Sequence, residues 1–174
     1  MKFEEINLEN LNFNVFGALK NEWMLIVSWN ESETNIMTAS WGGFGFVWSK
    51  NIAISFIRPQ RHTFHLMNNN KYHSLCFFDP KNLSKYRSIL NFCGKESGKN
   101  IDKIKETGLT TINDGNFKYF EEASTVICCK KIYSQFICQE YFEEKDIINN
   151  NYPLKDYHKM FIGEISKFLV KSKP

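Results

Sequence analysis

The chain has 174 residues, of which 43% are hydrophobic and 16% aromatic, so it carries enough apolar side chain for a packed core and is not predicted to be disordered. Its formal net charge of +3 comes from scattered basic residues, which is too weak a bias to favour a nucleic-acid partner. No stretch approaches the ~18 consecutive apolar residues of a membrane span, and the N-terminus lacks the apolar core of a signal peptide. We therefore expect a cytoplasmic protein without a nucleic-acid or membrane partner, organised as a single domain over residues 1–174.

The first half of the chain predicts four β-strands. A compact apolar run at residues 23–29 and an alternating segment at 35–41 are typical of two neighbouring strands. Two further strands are predicted at 51–57 and 72–78. The glycine-rich segment 42–45 lies between the second and third strands, and we expect it to form a flexible loop in which the backbone can adopt positive φ.

Three short helices are predicted after the third strand. The first covers residues 60–69 and follows Pro59, a residue suited to the first position of a helix. The second covers 82–92, and the third covers 100–107 and ends at Gly108, a typical C-cap residue.

The last third of the chain returns to strand patterns. Residues 117–133 are rich in β-branched side chains and residues 136–142 alternate, so both segments are predicted as strands. Residues 158–170 fit a helix or a strand, and Gly163 with its β-branched neighbours favours the strand. Many short strands and few helices predict a mainly β fold, an antiparallel barrel with the helices outside it.

The five cysteines do not predict a metal or disulfide framework. Their number is odd and no CxxC pair occurs, so we expect reduced, mostly buried thiols. His62 and His65 would share a helix face, but no third ligand follows at a metal-binding spacing, and no metal site is predicted.

Residues 58–63 carry the strongest local signal for chemistry. Arg58 and Arg61 flank the predicted start of a helix, and Thr63 adds a hydroxyl. Fixed positive charge, free backbone N–H groups and the positive end of a helix dipole are what a phosphate dianion requires. Taken alone, the segment also fits a solvated basic turn.

Two further segments favour ligand binding less specifically. Residues 38–43 place two hydroxyls, an indole and two glycines at a strand end, which suits a flat polar ring or a phosphate, although an ordinary hairpin turn has the same composition. Residues 95–103 resemble an anion cradle, with a solvated lysine-rich loop as the alternative. The P-loop, the G-x-G-x-x-G dinucleotide fingerprint and the G-x-S-x-G elbow are absent from the sequence.

Four motifs in a fixed order give a more specific signal than any one of them. They are N-x-M-T-x-S-W at 35–41, R-P-x-R-x-T at 58–63, C-G-x-x-S-G-K-x-x-D-K at 93–103 and H-x-x-x-x-G-E-I at 158–165. Together they resemble the flavin reductase-like domain family with the FMN-binding split barrel, and most of all its flavoredoxin-type branch. The resemblance extends over residues 23–167.

This resemblance implies a six-stranded antiparallel Greek-key split β-barrel with peripheral helices, assembled as a homodimer with FMN near the dimer interface. It implies that the first motif lines the isoalloxazine or the phosphate and that the second binds phosphate or ribityl. It also implies that the third completes the phosphate site and that the final histidine approaches the flavin from the same or the partner subunit. Carried over position by position, the implied FMN contacts are Asn35, Met37, Thr38, Ala39, Ser40, Trp41, Arg58, Arg61, Thr63, Ser97, Lys99, Lys103 and His158.

The implied activity is that of an FMN-dependent oxidoreductase. Electrons would pass from NADH, NADPH or a protein donor through FMN to a second acceptor, which is a small molecule or a redox protein. Because the flavin carries the redox chemistry, no catalytic side chain is predicted. Two alternatives stay open: an FMN carrier or storage module without turnover, and pyridoxine-phosphate oxidase-type chemistry on a related barrel.

Overall fold

The computed structural model describes residues 2–172, which form ten strands and five helices. The strands are β1 (Phe3–Glu5), β2 (Met24–Trp29), β3 (Thr34–Ala39), β4 (Gly42–Val47), β5 (Lys50–Ile57), β6 (Tyr72–Phe77), β7 (Thr111–Asp114), β8 (Phe117–Phe120), β9 (Thr125–Phe136) and β10 (Lys159–Lys171). The helices are α1 (Val15–Gly17), which continues as a π-helical turn (Ala18–Glu22), α2 (His62–Asn69), α3 (Leu83–Lys95), α4 (Lys103–Thr107) and α5 (Lys145–Asn151). Short 3₁₀ turns cover Leu8–Asn10, Pro80–Asn82 and Gln139–Tyr141.

Eight of the strands form one antiparallel sheet in the order β3-β2-β6-β9-β10-β5-β4, with β1 added beside β10. The β2–β3 and β4–β5 hairpins lie at opposite ends of this order, and the later strands β6, β9 and β10 join them. Strands β7 and β8 form a separate hairpin. The mainly β antiparallel fold with outlying helices is therefore confirmed, although the sheet has eight strands instead of the predicted six.

One face of the sheet encloses a buried core to which β2, β3, β5, β6, β9 and β10 all contribute. This contribution from non-neighbouring strands such as β2 and β5 shows that the sheet curls around its interior, as a barrel does. The residues that these strands contribute to the buried core are Met24, Ile26, Met37, Ala53, Ile57, Leu75, Phe77, Ile127, Cys129, Phe161 and Phe168.

A second core lies on the opposite face of β2, β6 and β9, where α3 and the β7–β8 hairpin pack. It includes Leu25 of β2, Cys76 of β6, Leu90 of α3 and Phe120 of β8. Because β2 is covered on both faces, all of its residues are buried, which explains the continuous apolar run in its sequence.

The prediction of a flexible loop at residues 42–45 is wrong, because these residues belong to strand β4. Gly42 pairs with Ser55 and does not have a positive φ. A Cβ on Gly42 would overlap the carbonyl oxygen of Ile54, so this glycine serves the close approach of two strands. The positive φ angles occur at the hairpin turn that follows, at Trp48 (52°) and Ser49 (55°).

The other element boundaries agree in part with the predictions. Residues 136–142 do not form a strand: β9 ends at Phe136 and a 3₁₀ turn follows. Helix α4 begins at Lys103, because the Asp102 carboxylate caps its first turn, and ends at Gly108, whose φ is 67°. The final segment is a strand, as predicted. Within residues 2–172, the helices are too short or too polar to cross a bilayer.

The cysteines are free thiols, and Cys76, Cys93, Cys128 and Cys129 are buried. Burial raises the pKa of Cys93 to about 11 and that of Cys128 to about 12. These thiols therefore stay protonated at neutral pH, in agreement with the expectation of reduced, mostly buried cysteines.

Candidate functional site

A cleft of about 380 Å³ opens between the ends of β3 and β5 and the side of α3. This volume is in the range of sites that hold small organic molecules. Seven of the residues that the sequence implies as FMN contacts line it together: Met37, Thr38, Ala39, Ser40, Trp41, Arg58 and His158. The remaining wall consists of Trp23, Phe56, Leu90, Asn91, Gly94 and Lys95.

The wall between β3 and α3 is fixed by a hydrogen bond across it. The Thr38 hydroxyl donates to the carbonyl oxygen of Leu90 at 2.5 Å. A Cβ added to Gly94 would come within 3.5 Å of the Thr38 side chain, so the helix passes close to the strand at this point. The Thr38 hydroxyl therefore positions the cleft wall instead of pointing freely at a ligand.

His158 lies at the opposite side of the cleft between two aromatic rings. Its ring centroid is 4.8 Å from that of Trp41, and its Nδ1 is 3.0 Å from the Tyr152 hydroxyl. Burial, with a smaller contribution from the nearby Arg58 charge, lowers the pKa of His158 to about 4. The imidazole is therefore neutral at pH 7. Its second ring nitrogen has no hydrogen-bond partner among residues 2–172 and can serve a ligand.

Arg58 lines the cleft but is already engaged by its own chain. Its Nη1 pairs with the Asp156 carboxylate, and its Nη2 donates to the carbonyl oxygen of Asn151 at 2.8 Å. Gln60 also donates to Asp156, and the hydrogen bond from Arg58 is the main cause that lowers the pKa of Asp156. These contacts tie the end of β5 to the loop that carries His158.

Two cations, the half-buried Arg61 and the buried Lys103, lie at the C-terminal end of α3. Arg61 Nη2 and Lys103 Nζ each donate to the carbonyl oxygen of Cys93 at 3.2 Å. Lys103 is 3% exposed. Cations commonly bind the free carbonyls of a helix C-terminus, but one neutral carbonyl does not balance two charges. Within residues 2–172, no carboxylate lies within 4.0 Å of either cation.

Burial is the main cause that lowers the pKa of both cations, and that of Lys103 falls to about 8. Arg61 also precedes α2, whose start has no side-chain cap, so the positive end of the helix dipole lies beside it. Taken together, these charges offer an anion a favourable position next to the wall of the cleft.

A polar cluster joins these cations. The Asn35 side-chain amide donates to the Thr63 hydroxyl at 2.8 Å, and both residues are buried. A Cβ on Gly98 would overlap the Asn35 amide, so the 97–100 turn packs directly on it. Asn35 and Lys103 line a second cleft of about 490 Å³.

The third predicted motif divides between the interior and the rim. Lys103 is buried beside the half-buried Arg61, whereas Lys99 is exposed and lines the second cleft. The Ser97 hydroxyl accepts the backbone N–H of Lys99 at 3.3 Å, so it stabilises the turn.

Sequence reasoning missed the part of the wall that comes from α3 and from Trp23. The helix was predicted, but nothing in its periodicity indicates that Leu90, Asn91 and Gly94 pack against a strand some fifty residues earlier. The single local signal was Gly94, a small residue beside Cys93 within the third motif.

Comparison with known proteins gives matches at the level of structure. The sequence matches no protein-family model and no curated protein. An FMN-binding domain of a flavin reductases-like enzyme from Shewanella baltica superimposes with a TM-score of 0.69 at 12% identity, covering 97% of this chain and 77% of that one.

Two further solved structures show the same likeness. Flavoredoxin of Desulfovibrio vulgaris (Miyazaki F) has a TM-score of 0.66 at 21% identity, covering 87% of this chain and 70% of that one. An FMN-binding protein from Thermus thermophilus has a TM-score of 0.63 at 16% identity, covering 84% and 68%. The chain therefore has the fold of the FMN-binding, flavin reductase-like split-barrel proteins, which the order of its motifs predicted.

Proposed function

We propose that the chain binds FMN and acts as a flavin reductase-like or flavoredoxin-like oxidoreductase. Electrons would enter from NADH, NADPH or a protein donor and leave to a small-molecule or protein acceptor. The observation that carries this proposal is a cleft of the size of an organic ligand, placed beside the half-buried Arg61 and the buried Lys103, which have no carboxylate within 4.0 Å among residues 2–172. The likeness to FMN-binding split barrels supports the choice of ligand.

The residues present fit both ends of FMN. Met37, Ala39 and Trp41 offer apolar and aromatic surface to a flat ring. At the other end, Arg61 and Lys103 offer the excess positive charge that a phosphate dianion neutralises, since charge-assisted hydrogen bonds to phosphate are strong.

Two neutral groups complete the phosphate end. The Asn35 amide and the Thr63 hydroxyl are held in one orientation by their mutual hydrogen bond. Each keeps a donor beyond that bond, since the Asn35 amide has a second N–H and the Thr63 hydroxyl, which accepts in this bond, still has its O–H to donate. The cluster therefore supplies neutral donors beside the two cations.

When bound, FMN would supply the hydride and electron chemistry. The protein's own residues would supply position and a controlled electrostatic environment. His158 stays neutral at pH 7, so its free ring nitrogen can accept or donate a hydrogen bond at the ring without adding charge. Tyr152 orients this imidazole, and the Arg58–Asp156 ion pair holds the loop on which it lies. Trp41 lines the cleft beside this imidazole, with 4.8 Å between the two ring centroids.

The absorbance spectrum of the purified protein tests the binding half of the proposal. We expect a flavin spectrum, or a return of it when FMN is added to apo protein, with quenching of tryptophan fluorescence and a higher melting temperature. A colourless protein that shows none of these responses to FMN would reject the proposal.

Anaerobic titration of the FMN-loaded protein with NADH and NADPH tests the redox half. Bleaching of the flavin band on a catalytic timescale is the expected result for an oxidoreductase. An unchanged spectrum with NADH, NADPH and a reduced protein donor would identify an FMN carrier or storage module instead.

We also propose that the chain forms a homodimer. The β4–β5 hairpin exposes large apolar side chains, with Phe46 71% and Trp48 57% exposed, and Trp48 lies 5.9 Å from Tyr133. Clustered exposed apolar surface is typical of protein contact sites. Light scattering at micromolar concentration should give the mass of a dimer, and Trp48→Lys should lower it. A wild-type monomer would contradict the proposal.

A further inference from the structure

Trp23, at the edge of the cleft, has a backbone conformation that side chains rarely adopt. Its φ is 66° and its ψ is 169°, a region that is essentially restricted to glycine. Such strain persists only where the surrounding structure holds the residue in place, and strained residues are concentrated at binding and catalytic sites.

The backbone on both sides of Trp23 is fixed. The π-helical turn Ala18–Glu22 ends at this residue, whose N–H donates to the Ala18 carbonyl at 2.8 Å. The next residue, Met24, is fully buried in the barrel core. Single π-helical turns are themselves concentrated at functional sites.

The side chain of Arg87, on α3, also contacts the Trp23 indole and holds it in place. Its guanidinium carbon lies 4.4 Å from the centroid of the Trp23 ring, and its Nη2 donates to the Asn21 carbonyl at 2.7 Å. A cation over an indole is the strongest common form of the cation–π contact. Arg87 therefore fixes the ring and ties the π-helical turn to the helix that forms the cleft wall.

Trp23 lines the same cleft as Met37, Leu90 and Gly94, and it also packs on the second core. An indole offers a large rigid contact area at a small cost in side-chain entropy, and aromatic surfaces bind planar aromatic ligands well.

We propose that Trp23 is a ligand-contacting residue that recognises the planar heteroaromatic ring of the flavin, held in place by its strained backbone and by Arg87. This inference rests on the proposed function, because it takes the cleft as the ring site. It assigns to the segment before β2 a binding role that none of the four sequence motifs contains.

The test compares FMN with riboflavin, which has the same ring but no phosphate, by calorimetric titration of the apo protein. Trp23→Ala should lower the affinity for both ligands by the same factor, about tenfold, because one aromatic contact is lost. Lys103→Met should lower the affinity for FMN and leave the affinity for riboflavin unchanged. Trp23→Ala protein that binds both ligands as tightly as the wild type would overturn the inference.

Tyr86→Ala is the matched control for a purely structural effect. Tyr86 is also an aromatic residue packed on the second core and lies under a lysine, but it is not part of the cleft wall. It should lower the melting temperature without changing either dissociation constant. Equal losses of flavin affinity in Tyr86→Ala and Trp23→Ala would refute a specific ring contact.

Arg87→Gln keeps the inference testable if Trp23→Ala does not fold. This variant removes the cation–π contact and retains the indole. Because the ring is then held less firmly, the affinity for both flavins should fall by about threefold. Wild-type affinities in Arg87→Gln would overturn the holding role. A wild-type protein that binds neither flavin would reject the proposed function, whereas intact wild-type binding with an unaffected Trp23→Ala variant rejects the Trp23 contact alone.

Discussion

FMN affinity should depend on pH through Lys103, and the structure gives the size of the effect. The pKa of Lys103 in the ligand-free protein is about 8, lowered mainly by burial from an ordinary value of 10.5. About nine tenths of the molecules therefore carry this charge at pH 7, and roughly one in eleven carries it at pH 9. The phosphate of FMN is a dianion throughout, since its second pKa is about 6. The apparent dissociation constant should thus rise by about tenfold between pH 7 and pH 9.

The assay is a fluorescence titration of apo protein with FMN and with riboflavin at half-unit pH steps. The affinity for FMN should fall as the pH rises above about 8, while the affinity for riboflavin should stay constant. Lys103→Met should make the free energy of FMN binding at pH 7 less favourable by about 1.5–3 kcal/mol, the contribution of a charge-assisted hydrogen bond. It should also abolish the pH dependence of FMN affinity. The assignment of Lys103 to the phosphate would be refuted by an FMN affinity that does not change with pH in the wild type. A riboflavin affinity that falls with pH in parallel with that of FMN would also refute it.

Two observations separate binding from stability in this experiment. Lys99→Met removes an exposed lysine of the same segment and should change FMN affinity much less than Lys103→Met. In the apo protein, the unfolded chain binds the Lys103 proton more tightly than the folded one between pH about 8 and 10.5, so the free energy of unfolding should rise with pH in this window. The Lys103→Met variant should lose that rise.

Three further outcomes are expected. Gly98→Ala should lower the free energy of unfolding in urea by about 2–3 kcal/mol, because the added methyl group displaces the Asn35 amide and breaks its buried hydrogen bond. Stability should also fall as the pH drops from about 6.5 to about 4, since His158 binds its proton more weakly in the folded state, and a pH series of thermal melts measures this. Asp156→Asn should weaken both FMN and riboflavin in titration, because it frees Arg58 from the contact that holds the His158 loop.

Each of these outcomes has its own control. Gly45→Ala, where a Cβ meets no atom within 4 Å, should leave stability nearly unchanged, and an equal loss there would contradict the steric explanation. His158→Gln should reduce the acid sensitivity without removing it, because the buried His73, with a pKa of about 3, contributes in the same direction. Asp146→Asn removes an exposed carboxylate on α5, and if it weakened flavin binding as much as Asp156→Asn, the ion pair would not be the cause.

Much of the sheet was predictable because burial leaves a local pattern. The run that became β2 is buried throughout, since both of its faces are covered. In β5, the buried residues Ala53, Ser55 and Ile57 alternate with less buried ones, which is the pattern of a strand with one face on the core. The error at residues 42–45 has a physical reason: a glycine is needed both where φ is positive and where two backbones approach closely, and the sequence does not distinguish the two. Here the close approach to the Ile54 carbonyl decides.

The site was predictable where its residues lie in one motif and not where the chain returns from far away. Met37 to Trp41 share one strand end and were implied together. The partner of Arg58, Asp156, lies 98 residues later, and no local signal announces an ion pair over that separation. The phosphate role implied for Arg58 remains a prediction, and the geometry moves the emphasis to Arg61 and Lys103.

The last turn of α3 touches both halves of the site, since Cys93 presents its carbonyl to the cations and Gly94, the next residue, lines the cleft. Consecutive residues of a helix are 1.5 Å apart along its axis, so under the proposed function this turn would fix the distance between the flavin ring and the phosphate. Flavin analogues with a shorter or longer polyol chain would satisfy one end and miss the other. Selectivity among such analogues would then be a property of helix geometry, and an inserted residue in this turn would change which chain length is preferred.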